Sequence, residues 1–229
     1  MAINIETLRT RALTALIFVA VMLVGLLWNE WTFLVLFTII HFGCWYEFIK
    51  LLKKIHGDKF PAYSVLGLVY ITLPVVVMIW LRLRTDTNSG LGNVSPLLIP
   101  CAIIFSIWIN DTMAYLVGSV IGKTPFSKIS PKKTWEGTAG GALLCVITIA
   151  LLGYYLPLAK PIAVKHWIAI AAICAIAGTS GDLLESKIKR MANVKDSGSI
   201  MPGHGGFLDR FDSLLVATPF VGLYTFLFM

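Results

Sequence analysis

Apolar residues in this chain come in long blocks separated by short polar segments. Seven apolar runs stand out: Ala12 to Trp28, Trp31 to Ile49, Phe60 to Leu81, Val94 to Ile121, Thr138 to Leu158, His166 to Leu184 and Phe211 to Met229. A bilayer core of about 30 Å takes roughly 20 helical residues, so each run predicts a spanning helix with boundaries loose by a few residues. The first run follows Arg9 and Arg11, as a signal peptide would. It exceeds the usual signal-peptide core and leads into Trp28, Asn29 and Glu30 without a small-residue cleavage site, so it reads as a retained helix. The expected fold is all-α: a polytopic integral membrane bundle of about seven transmembrane helices. With no internal repeat and no long polar linker, residues 1–229 read as one domain.

Composition agrees with the pattern. Hydrophobic residues make up 57% of the 229 and charged ones 14%, with a mean hydropathy of +0.81. Soluble domains carry about 45–50% and 25%. This excludes a disordered chain, a soluble enzyme and a nucleic-acid-binding module. Cys44, Cys101, Cys145 and Cys174 all fall in apolar runs without metal-site or redox spacing, which predicts buried free thiols.

The formal charge of +7 needs a membrane explanation, and the positive-inside rule supplies one. With a cytoplasmic N-terminus, seven spans put fifteen of the 19 basic residues inside. Only Arg82, Arg84, Lys160 and Lys165 remain outside. Ionisable residues near or within spans are costly in hydrocarbon and so are candidates for function. Glu47, Asp111, Asp182, Asp209 and Asp212 all fall toward the inner helix ends, which predicts a polar site open to the cytoplasm. Among them Asp111 lies deepest.

Two inner loops carry the chemistry. The first, GKTPFSKISPKKTWEG, interleaves Lys123, Lys128, Lys132 and Lys133 with Ser127, Ser130 and Thr134. Point charges, hydroxyls and free backbone amides together suit a phosphate, although the same residues also fit an ordinary basic inner loop. The Walker pattern is absent. The second, from Gly181 to Ser213, opens as a helix whose Asp182, Ser186 and Lys189 or Arg190 share a face. Pro202, Gly203, Gly205 and Gly206 then break the chain around His204, leaving amides that can meet an anion.

Asp182 and Asp209 are expected at the inner ends of consecutive antiparallel helices, where both carboxylates can converge on a magnesium ion. Mg²⁺ takes a few carboxylates, waters and substrate phosphates at about 2.0–2.1 Å, and nothing in the His and Cys spacing favours zinc. The plainer alternative makes Asp209 a helix cap and pairs Asp182 with Lys187 or Arg190. His41 and His166 read as packing or interfacial residues. Six of the seven tryptophans, all but Trp108, read as an aromatic belt. Gly118 with Gly122, and Gly137 with Gly141, read as close helix contacts.

The run SKIKRMANVKDSGSIMPGHGGFLDRFD, Ser186 to Asp212, resembles the signature of the phosphatidate cytidylyltransferase (CDP-diacylglycerol synthase) family. The stretch from Asn110 to Gly137 resembles that family's second characteristic segment, and the two cover about a quarter of the chain. Met201 departs conservatively from the pattern, and the chain is shorter than many bacterial members. The resemblance implies conversion of CTP and phosphatidate to CDP-diacylglycerol and diphosphate, with Mg²⁺ required and room for a second cation. It puts Asp182, Asp209, Lys189 and Arg190 in the catalytic set, with Asp111 and Asp212 as further metal candidates. Ser130, Lys132, Lys133, Thr134, Lys195, His204, Gly205 and Gly206 become the substrate-binding candidates. The implied location is a bacterial inner membrane, with the site facing the cytoplasm and a homodimer left open. The rivals are a CTP-dependent polyprenol kinase and an ion-coupled transporter.

Overall fold

The computed structural model describes residues 5–84, 95–200 and 205–229, with side chains from residue 12 onward. Each apolar run is mostly helical over its described residues. Helix α1 (Ile5–Leu27) turns sharply into α2 (Glu30–His56). The turn is fixed by a reciprocal cap, in which Thr32 N donates to Asn29 Oδ1 at 2.9 Å and Asn29 N to Thr32 Oγ1 at 3.2 Å. A 3₁₀ turn (Gly57–Lys59) and a short α3 (Phe60–Ser64) lead to α4 (Leu73–Leu83). The long helices α5 (Leu98–Ile121), α6 (Trp135–Tyr155), α7 (Val164–Met191) and α8 (Leu208–Phe228) complete the chain.

Among the described residues, five stretches are long and apolar enough to cross a membrane: Glu30–Ser64, Leu98–Ile121, Trp135–Tyr155, Val164–Met191 and Leu208–Phe228. Ala12–Leu27 and Leu68–Leu83 are shorter apolar helices. The protein is an integral membrane helical bundle. One expected span needs correcting: the run Phe60 to Leu81 is not a single α-helix, because Leu68–Thr72 form a π turn ahead of α4. Helix α2 braces that turn, with Trp45 Nε1 donating to Thr72 Oγ1 and His41 Nε2 paired with the same hydroxyl, each at 3.0 Å.

The bundle is organised around α7, which packs most extensively on α8 and also on α6 and α5, while α5 and α6 form the closest pair. Small residues set that closeness. A Cβ on Gly141 would collide with the backbone of Ala114, and one on Gly137 with Ala114 O and Gly118 Cα. Helix α4 lies against α8, and α1 packs mainly on α2. Arg82 at the end of α4 is buried over the Phe33 ring and reaches Glu30 at 3.4 Å, tying α4 to the α1–α2 turn.

The aromatic belt holds only in part. Trp28, Trp31, Trp80 and Trp135 are exposed, but Trp167 is buried and donates to the carbonyls of Ala159 and Ile162. Trp45 packs against the core and Gly67. For both, a helix-end position in sequence coincides with a neighbouring segment that covers the indole. Cys44, Cys145 and Cys174 are buried, Cys101 is half-buried, and all four are free thiols.

Candidate active site

A cavity of about 500 Å³ opens between α5, the loop before α6, α7 and α8. Asp111, Asp182, Asp209 and Asp212 all line it, together with Lys132, Lys133 and Thr134. Its other walls include Asn110, Arg210 and Ser213, with Phe18 of α1, Trp108 and Tyr115 on the apolar side. Side chains more than 90 residues apart in sequence thus share one cavity.

The loop between α5 and α6 is held as a hairpin. Phe126 N donates to Lys133 O at 2.8 Å, Trp135 N to Thr124 O at 3.0 Å and Lys133 N to Ser130 O at 3.1 Å. Thr134 caps α6 by accepting from Gly137 N at 3.1 Å. Glu136 in the next turn accepts from Lys123 N and from the amide and hydroxyl of Thr124. With both ends pinned, Lys133 extends across the cavity to Asp182, Nζ to Oδ2 at 2.5 Å. Asp182 therefore pairs with neither Lys187 nor Arg190.

Helix α7 runs on past Asp182 to Met191, where Asn193 takes a left-handed conformation (φ 53°) and turns the chain. Near that end Lys189 Nζ lies 2.5 Å from Glu185 Oε2 and 2.6 Å from Asp209 Oδ1. Asp209 Oδ2 accepts from Ser197 N at 2.8 Å, Ser197 Oγ at 2.9 Å and Gly206 N at 2.8 Å. Gly205 precedes it at φ +84°, where a Cβ would be strained and would press on the Asp209 carboxylate. Asp212, one turn further along α8, is buried and accepts from Ser213 N at 2.6 Å.

Arg190, Lys195, Ser130 and Gly206 do not line the cavity. Arg190 is exposed and donates to Val194 O at 3.3 Å, closing the end of α7. Lys195 is exposed, and Ser130 serves the hairpin turn through its carbonyl. Gly206 contributes its amide to Asp209. His204 lies outside the described residues. His166 Nδ1 pairs with Tyr224 OH at 2.9 Å. Glu47 stands behind the cavity, bonded to the segment that carries Asp209.

Sequence reasoning missed Glu185 and Ser197. Both are buried beside Lys189 and Asp209, and neither has a flanking pattern that separates it from an ordinary helical or loop residue. It also passed over Arg210, whose position beside Asp209 was the available signal.

Chemically, the hollow offers carboxylates to a hard cation and ammonium groups to phosphate. Among the described residues, no three His, Cys, Asp or Glu side chains form a compact metal cage.

The sequence model of the cytidylyltransferase family matches residues 68–228. The phosphatidate cytidylyltransferase of Rickettsia typhi (strain ATCC VR-144 / Wilmington) is 31% identical over 229 residues, covering 97% of this chain and 94% of that protein. Phosphatidate cytidylyltransferase 4, chloroplastic, of Arabidopsis thaliana is 40% identical over 153 residues, 59% of this chain. The phosphatidate cytidylyltransferase of Bacillus subtilis (strain 168) is 44% identical over 116 residues, half of this chain. The matched stretch spans 39% of the Arabidopsis protein and 42% of the Bacillus one. Both characteristic sequence segments fall within the matched region and meet at one cavity; the chain belongs to the cytidylyltransferase family.

Proposed function

We propose that the protein is a phosphatidate cytidylyltransferase of a bacterial inner membrane, with its cavity open to the cytoplasm. In this reading a phosphatidate oxygen attacks the α-phosphorus of CTP. The bond from that phosphorus to the β-phosphate bridge breaks, giving CDP-diacylglycerol and diphosphate. The observation that carries the reading is the meeting of Lys132, Lys133 and Thr134 with Asp111, Asp182, Asp209 and Asp212 around one cavity.

The chemistry requires such a mixture. A phosphate monoester is already anionic, so it needs little help from a base, but two anions must be brought together. Lys132 and Lys133 supply positive charge where the phosphates meet. Thr134 supplies a hydroxyl donor at the cavity wall. The four aspartates lining the cavity support a Mg²⁺ site completed by substrate phosphates and water, in which Asp182 with Asp209, assisted by Asp111 and Asp212, would hold the ion. When bound, the ion would neutralise phosphate charge, and a second cation could share that task. Lys133 already meets Asp182, so the lysine and the cation are alternative counter-charges for one carboxylate. The inward direction follows from the basic residues of the inner loops. Apolar Phe18, Trp108 and Tyr115 beside the polar wall suit a lipid substrate whose tails stay in hydrocarbon.

The test is an assay of the purified protein with cytidine-labelled CTP and phosphatidate, with and without Mg²⁺. The expected result is label on the lipid, release of diphosphate and no turnover after chelation. Release of labelled CDP, with only phosphate added to a lipid alcohol, would make the protein a polyprenol kinase instead.

A further inference from the structure

Glu47 is 1% exposed, in the middle of an apolar helix. A carboxylate buried so deeply is costly unless donors surround it. Three do, all from residues 150 or more positions away. Ser197 Oγ reaches Glu47 Oε2 at 2.7 Å, Phe207 N reaches Oε1 at 3.0 Å and Leu208 N reaches Oε2 at 2.9 Å. The first amides of a helix have no partner within it, and α8 has no side-chain cap of its own. Glu47 supplies that cap from a different helix, with a negative charge favoured at the positive end of the α8 dipole. Gly206 and Gly198 press against the same carboxylate, and a Cβ on either would collide with it.

Asp209 lies in the turn that Glu47 caps, and the two acids share a neighbour. Ser197 Oγ lies 2.7 Å from Glu47 Oε2 and 2.9 Å from Asp209 Oδ2, with one hydroxyl proton to serve both. We propose that Glu47 is a positioning residue, which sets the place of Asp209 in the cavity by holding the start of α8 and the Ser197 hydroxyl. The proposal rests on the reading of Asp209 as a metal-holding carboxylate.

The test uses the full-length protein in detergent and the variants Glu47→Gln, Ser197→Ala and their combination. Glu47→Gln keeps the shape but turns an amide donor toward donors. It is expected to lower kcat about 10- to 100-fold, in the range for residues supporting metal ligands. The Mg²⁺ concentration for half-maximal activity should rise, while the KM for CTP moves less than about threefold. The double variant should lose no more than the worse single one, because both act through Asp209. Multiplicative losses, or kcat falling only in step with the folded fraction, would reduce Glu47 to a structural cap and overturn the proposal. If the wild-type protein makes no CDP-lipid, the substrate reading fails separately. Mn²⁺ binding, followed by electron paramagnetic resonance, then decides the positioning role: weaker binding by Glu47→Gln supports it, and unchanged binding overturns it.

Discussion

Lys133 Nζ and Asp182 Oδ2 stand 2.5 Å apart, joining the loop before α6 to the middle of α7 across the cavity. Both side chains are about 30% exposed, at 31% and 28%. A pair this accessible contributes about 0–1 kcal/mol to stability. The contact therefore matters for what it does to the cavity's charge. Asp182→Asn should leave the folded protein and its detergent melting temperature nearly unchanged. On the proposed role of Asp182 in holding Mg²⁺, turnover should fall by more than about 100-fold. Near-normal turnover in this variant would remove Asp182 from the site.

Lys132 and Lys133 differ in surroundings although they are adjacent. Lys132 is exposed at the cavity rim, whereas Lys133 is half-buried against Asp182. Lys133→Ala should therefore reduce kcat/KM more than Lys132→Ala, and the double variant should fold normally. Steady-state kinetics with varied CTP and varied phosphatidate check this and show which of the two proposed substrates each lysine serves. Unchanged kinetics in the double variant would return the loop to a purely topological role.

A different behaviour is expected of Lys189. It sits between Glu185 and Asp209, with the three side chains 12%, 1% and 8% exposed. Removing the cation from a buried set leaves uncompensated charge, at a cost of about 3–5 kcal/mol. Lys189→Ala should lower the melting temperature clearly, unlike Asp182→Asn, and activity should fall with it. Thermal unfolding of the two variants side by side, in the same detergent, checks the contrast.

Gly205 supplies a backbone test. Its φ of +84° is one that a side chain rarely adopts, and a Cβ there would push into the Asp209 carboxylate. The conformational part alone is worth about 1–2 kcal/mol. Gly205→Ala should lose most activity while retaining membrane insertion. Wild-type kinetics in Gly205→Ala would show that Asp209 tolerates displacement.

The sequence by itself determined the solvent and the class of fold. Runs of about 20 apolar residues are stable only in lipid, and backbone groups in lipid must pair within their own helix. The helices α5 to α8 were therefore legible almost to their ends. Asp111, Asp182, Asp209 and Asp212 were legible as acids near or within apolar runs, where ionisable groups are costly, and Lys132, Lys133 and Thr134 as cations and a hydroxyl gathered in one inner loop. The π turn at Leu68–Thr72 was not, since five apolar residues carry no sign of which carbonyl each amide will choose. Nor were the inward turns of Trp45 and Trp167, which depend on what packs beside them.

Tertiary structure alone decided the partnerships: Lys133 with Asp182, Lys189 with Glu185 and Asp209, and Glu47 with the start of α8. These contacts join residues on different elements, or select one neighbour among several equally spaced along a helix. Local periodicity fixes which face a residue occupies. Which charge it meets there depends on how the helices pack, and that is settled by small contacts such as Gly141 against Ala114.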